Sequence, residues 1–196
     1  MHVKNTGRCS ELLVPGCTVY LEGSENKKRK TPYDLVAVEK GDLLINMDSQ
    51  VVNHAAREWL EKGLLFSENA IIRPEYTCGD SRFDFYIEDG ERKAFLEVKG
   101  VTLERDGAAL FPDAPTKRGV KHLRHLSRLR AEGYEAYVLF VIQMKGVLSF
   151  SPNDEMHREF GDALRSAREG GVNILAMDCL VSPDTVTIDA PVPIYL

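Results

Sequence analysis

Two alternating segments joined by a tight-turn dipeptide limit what this chain can fold into more than any other feature. Arg82-Phe-Asp-Phe-Tyr-Ile87 and Lys93-Ala-Phe-Leu-Glu-Val98 read as strands, and Asp89-Gly90 between them suits a two-residue hairpin loop that needs positive φ. With that dipeptide as the turn, Glu88 faces Glu91, Asp84 faces Phe95 and Arg82 faces Glu97. Directly opposite residues share a face, and so do residues two apart on one strand. Asp84, Glu97 and Lys99 are therefore expected on one side, the two carboxylates on a diagonal of roughly 6–8 Å. Phe83, Phe85, Ile87, Ala94, Leu96 and Val98 form an apolar, core-facing row on the other.

The surroundings of this hairpin fit an α/β domain. Ile71 to Tyr76 reads as a preceding strand. Helical periodicity then runs from about Thr116 to Glu132, stopped by Gly133, and is followed by the apolar strand Tyr134 to Ile142. A second helix is expected from about Asp154 to Glu169, with Met156, Phe160, Ala163, Leu164 and Ala167 on one face, then a strand from Val172 to Ala176. Strands alternating with helices predict a mixed sheet covered by helices. Before residue 48 the pattern differs. Cys17–Glu22, Tyr33–Val38 and Asp42–Asn46 are short strand-forming segments between glycines and prolines, as in a small barrel or sheet. Asp48 or Ser49 can cap a helix carrying Val51, Val52, Ala55, Ala56, Trp59 and Leu60, with Gly63 as its stop. The expected division is a β domain over 1–47, a linking helix over 48–69 and the α/β domain over 70–196.

Composition narrows the function classes. A net charge of −5 excludes a global basic field, so any nucleic-acid contact must rest on local patches. The N-terminus lacks the apolar core of a signal peptide, and the longest apolar run, Val138 to Ile142, is far too short to span a bilayer. A cytoplasmic protein with no membrane partner is expected. Cys9, Cys17, Cys78 and Cys179 show no C-x-x-C pair, which argues for free thiols rather than disulfides or a zinc site.

Two carboxylates on one face can share a divalent cation, and oxygen-only ligands favour Mg²⁺ or Mn²⁺ over zinc. Such a cation would polarise a phosphodiester and acidify an attacking water, with Lys99 orienting that water or offsetting transition-state charge. Asp84, Glu97 and Lys99 thus make a candidate nuclease site of the PD-(D/E)xK kind. An alternating strand with E-x-K also occurs as a surface charge pair of no function. Glu75, Asp113 and Gln143 are candidates for additional site groups. Against these roles stand an Asp113 that caps a turn and a Gln143 that satisfies backbone groups. At about 100° per residue, Lys117, Lys121, Arg124 and Arg128 fall in a stripe about 60° wide, suited to phosphates or to plain solvation. His122 and His125 flank that stripe and lack a third metal ligand. The loop run Asn26-Lys-Lys-Arg-Lys30 adds Lys28, Arg29 and Lys30 as possible nucleic-acid contacts.

The motifs also resemble a family. Ser81-Arg-Phe-Asp-Phe85, Leu96-Glu-Val-Lys-Gly-Val-Thr-Leu103, Phe111-Pro-Asp-Ala114, Thr116-Lys-Arg-Gly119 and Lys121-His-Leu123 are similar, in order, to the sugar fermentation stimulation protein A family. So are Asn5-Thr6-Gly7, Pro15-Gly16, Lys28-Arg29-Lys30 and Pro32-Tyr33. The resemblance implies an OB-like N-terminal domain, a restriction-endonuclease-like C-terminal domain, DNA binding without sequence preference, and a regulatory role in sugar (maltose) utilisation. Members carry further strands before Asn-Thr-Gly, so residues 1 to about 46 are expected to form an open, incomplete barrel. Two functions follow. One is Mg²⁺-dependent phosphodiester hydrolysis on DNA, with RNA as a further substrate. The other is a non-catalytic DNA-binding regulator that keeps the nuclease fold as scaffold.

Overall fold

The computed structural model describes residues 1–196 except Thr6 and Lys27. The first unit contains β1 (His2–Val3), β2 (Val19–Gly23), β3 (Tyr33–Lys40) and β4 (Leu43–Asn46). Strand β3 is central, antiparallel to β2 on one edge. Its other edge is shared end to end by β1, parallel at Asp34 and Leu35, and β4, antiparallel from Ala37 to Lys40. Among the described residues no pair joins β2 to β1 or β4, so this sheet is open. Its inward residues Leu35, Val38, Ile45 and Met47 are fully buried and belong to the same core as the larger unit.

Helix α1 (Val51–Glu61) follows, with Gln50 N–H bonded to the Asp48 carboxylate at 2.8 Å. The second unit then runs β5 (Ile71–Cys78), β6 (Ser81–Asp89), β7 (Arg92–Val101), β8 (Leu103–Arg105), β9 (Ala108–Phe111), α2 (Lys117–Ala131), β10 (Glu135–Ile142), β11 (Ser149–Pro152), α3 (Asp154–Glu169), β12 (Asn173–Val181) and β13 (Val186–Pro191). Thr116 caps α2, its hydroxyl accepting from Gly119 N–H at 3.1 Å. Six strands form a mixed sheet in the order β13-β12-β10-β7-β6-β5, with β7, β10 and β12 mutually parallel and the outer strands antiparallel. Helices cover both faces, so β10 is buried at every position from Ala136 to Ile142 rather than alternating. Tyr137, Leu139 and Val141 face α1, through the cluster holding Val52, Ala56, Trp59 and Leu60. Val138, Phe140 and Ile142 face α2 and α3, with Leu123, Leu126, Phe160 and Leu164. No helix among the described residues is long and apolar enough to cross a membrane.

Two expectations need correction, and a third feature is not anticipated by the sequence. First, the hairpin turn is Gly90-Glu91, closed by the pair Asp89–Arg92, so the register is shifted by two from that expected. Gly90 sits at φ +61°, which fits glycine as the first loop residue, and a shift of two leaves the side-chain parity unchanged. Second, Phe83 leaves the expected apolar row. It packs against the rings of Phe95, His122 and His125 on the α2 face, whereas Phe85 and Ile87 pack on the α1 face. The switch falls at Asp84, where the β5–β6 ladder skips a pair and Glu75 on β5 takes φ +53°. Third, β8, β9 and β11 form a separate three-stranded sheet that alternation does not reveal, because Ala108-Ala109 carries little strand preference.

Candidate active site

The break at Asp84 turns its carboxylate out of the ladder and towards β7 and α1. One oxygen accepts the Val98 N–H at 2.7 Å, and the other accepts the Asn53 amide at 2.9 Å. Burial, and then the charge of Glu97, raise the Asp84 pKa above the ordinary carboxylate value against those hydrogen bonds and Lys99. Glu97 is 3% exposed. Its Oε1 meets Lys99 Nζ and His122 Nδ1, each at 2.5 Å, while Oε2 is buried without a hydrogen-bond partner among the described residues. Burial opposes its ionisation, but Lys99 and His122 outweigh burial and lower the pKa. The next residue after Lys99 must be small: a Cβ on Gly100 would lie 2.6 Å from Gln143 Oε1 and 3.1 Å from Val52 Cγ1.

Asn53, Asp84, Glu97, Lys99 and Gly100 line one groove of about 510 Å³, together with Asp113, Arg118, Gln143 and the first-unit residues Asn5 and Gly7. Asp113 accepts the Cys9 N–H at 3.1 Å. Gln143 is 1% exposed, and its amide donates to Asn46 Oδ1 at 2.8 Å and to the carbonyls of Asn46 and Asp48 at 3.1 Å each. Both residues therefore border the groove and also tie the two units together. Glu75 is not brought here. It lies exposed outside the groove and pairs with Arg82 at 2.8 Å, so Arg82 is also turned away from Glu97.

The stripe Lys117, Lys121, Arg124 and Arg128 is exposed on α2 and lines a different cleft with Val120 and Glu159. Lys121 lies 3.1 Å from Asp80, Arg124 2.9 Å from Glu159, and Arg128 4.0 Å from Asp80. Exposed pairs of this kind are worth about 0–1 kcal/mol, so they do not prevent an exchange for phosphates. In the first unit Lys28 and Lys30 are exposed, but Arg29 is held by both oxygens of Asp34, which also lies 3.3 Å from Lys4. Lys27 and Thr6 lie outside the described residues.

Asn53, Arg118 and His122 are the groups at the site that strand alternation does not find. His122 does carry a signal: it lies three residues after Gly119 and four before Leu126, on the buried face of α2. His125 shares that face, and burial lowers its pKa.

Among the described residues no group of three or more His, Cys, Asp and Glu side chains is spaced to hold a metal ion. A cation here would have two carboxylates and complete its shell with water or substrate oxygens, which is how Mg²⁺ is commonly held. The unpartnered, buried Oε2 of Glu97 and the penalised charge of Asp84 fit such an ion. Zinc finds no sulfur or imidazole set.

The fold is that of an α/β protein with a mixed, helix-covered sheet behind an OB-type β unit. The family model described as sugar fermentation stimulation protein RE domain matches residues 50–185, and the SfsA N-terminal OB domain matches residues 1–47. The chain belongs to the sugar fermentation stimulation protein (SfsA) family. A sugar fermentation stimulation protein homolog of Clostridium beijerinckii is 56% identical over 195 residues, 100% of this chain and 86% of that one. A homolog from Desulfitobacterium hafniense is 61% identical over 185 residues, 94% of this chain and 81% of that one. The structure of Pyrococcus furiosus SfsA in complex with Ca²⁺ matches with a TM-score of 0.89 at 27% identity, over 99% of this chain and 84% of that one.

Proposed function

We propose that this chain binds DNA without sequence preference and hydrolyses phosphodiesters at a Mg²⁺- or Mn²⁺-dependent site built from Asp84, Glu97 and Lys99. The observation that carries this reading is the Glu97 carboxylate, whose Oε2 is buried and unpartnered among the described residues, in the groove that a second, half-buried carboxylate, Asp84, also lines. Leaving such an oxygen unsatisfied costs about 1–3 kcal/mol or more, and a cation removes that cost. Ca²⁺, present in the archaeal relative, takes the same oxygen ligands. When bound, Mg²⁺ or Mn²⁺ would polarise the phosphoryl oxygen and provide a nucleophilic water near neutral pH. Asn53 and the Val98 amide hold Asp84 in place. Lys99 places a positive charge where negative charge develops on the phosphoryl group. The exposed α2 stripe supplies sequence-independent attraction for the backbone.

The test is nicking of supercoiled plasmid in Mg²⁺, Mn²⁺ or EDTA, with Asp84→Asn as control. Nicking by the wild type in metal, lost in EDTA and in the variant, is the expected result. Wild-type protein that binds the plasmid but nicks it in neither metal leaves the regulator reading in its place. The stripe has its own test. Lys121→Ala with Arg124→Ala should weaken binding equally on unrelated sequences and flatten the slope of log affinity against log salt by about two units. An unchanged slope would make α2 a solvated face, with the DNA path elsewhere.

A further inference from the structure

Glu97 is held by a side chain that lies behind the groove rather than in it. His122, 3% exposed, places Nδ1 2.5 Å from Glu97 Oε1. Its other ring nitrogen, Nε2, lies 3.5 Å from Nε of Arg118, one turn earlier on α2. An arginine N–H can only donate, so Nε2 is the acceptor of that pair. In the neutral ring the proton is then assigned to Nδ1, which donates to Glu97. The ring itself is fixed by Phe83, whose centroid is 5.6 Å away. Oε1 thus receives His122 and Lys99, and Oε2 receives no donor among the described residues.

We propose that His122 is a positioning residue for the cation: by pinning Oε1 of Glu97 it presents Oε2 as the ligand. This rests on the cation reading of the groove. A carboxylate free to rotate offers two equivalent oxygens, and each binding event must then fix it. A donor already seated on one oxygen removes that freedom before the cation arrives. Arg118, which borders the groove and has no salt-bridge partner among the described residues, sets the tautomer from the solvent side. If His122 served only to satisfy a buried carboxylate, its loss would lower stability. Cation affinity would not then depend on where the replacement donor points.

Two replacements separate these roles. Asparagine places its amide N–H close to the position of Nδ1, whereas glutamine carries its amide farther out, towards that of Nε2. Mn²⁺ binding to the full chain, without DNA, is measured by electron paramagnetic resonance of the free ion, alongside thermal melting in EDTA. His122→Gln should weaken Mn²⁺ binding about tenfold or more, and His122→Asn should hold it within about threefold. Unchanged affinity in His122→Gln, or an equal loss in both, overturns the positioning role. Arg118→Met, at an exposed position, should weaken Mn²⁺ about threefold by releasing the tautomer. An unchanged value there overturns the tautomer assignment even if the buried variants fail to fold. A wild-type chain that takes up no Mn²⁺ defeats the cation reading itself, which is a different result from a wild type that binds and a His122→Gln that binds equally well.

Discussion

Glu97→Gln is expected to lower Mg²⁺-dependent nicking by about 10³-fold or more while leaving DNA binding in EDTA unchanged or tighter. Glutamine keeps the volume of a side chain that is 3% exposed, so the local packing survives and the charge is what changes. The lost charge removes the proposed cation ligand, whose Oε2 stands unpartnered among the described residues. It also removes a negative group from the groove proposed to hold phosphates, so repulsion falls when no cation is present to mask it. Lys99, with 17% of its side chain exposed, can then turn towards the groove and adds attraction. Rate and affinity therefore move in opposite directions. Plasmid nicking in Mg²⁺ and salt-titrated binding in EDTA measure the two. Weaker metal-free binding by Glu97→Gln would show that the phosphate backbone does not pass this groove.

The largest effect on stability is expected at Phe140→Ala, about 3–5 kcal/mol. Phe140 is fully buried in the centre of the mixed sheet. Its ring lies 4.2 Å from that of Phe150 on β11, 5.5 Å from Phe111 on β9 and 6.5 Å from Phe160 on α3. The cavity would open where the two sheets and α3 meet, and none of those elements can collapse into it without dragging another. Domains of this kind are stable by about 5–15 kcal/mol in total, so the variant should lose a large share. Urea unfolding should show a lower midpoint with an unchanged slope. A loss under about 1 kcal/mol would mean that the site relaxes freely, contrary to the close ring packing.

How far the sequence foretells this molecule varies with the element. Periodicity places α2 within a residue at either end, because its apolar face is bounded by Thr116 and Gly133, and it places the limits of α3 but not the break in helical backbone at His157. The pairing of Glu97 with Lys99 follows from parity alone, which survives the error in turn placement. Asp84 is a different matter. It reaches Val98 and Asn53 because the strand pair is broken beside Glu75, and a break in a ladder depends on what packs on either face, not on alternation. His122 shows its place on the buried face of α2, but its role emerges only when a buried carboxylate is placed opposite it. The β8–β9–β11 sheet escapes because its strands are short and it is held mainly by pairs distant in sequence, such as Phe111 with Pro152.

The joint at Gln143 bears on whether this architecture is modular. Among the described residues its side-chain amide donates to Asn46 and Asp48, where the first unit meets α1, while Asn46 N–H returns a bond to the Gln143 carbonyl at 2.9 Å. Grafting the second unit onto an unrelated β domain would leave that amide orphaned within the core, at a cost of about 1–3 kcal/mol. It would also uncover Leu35, Val38 and Ile45 in the donor unit left behind. Neither half is a freely exchangeable part, and a lineage carrying this groove must inherit both together or rebuild the seam between them.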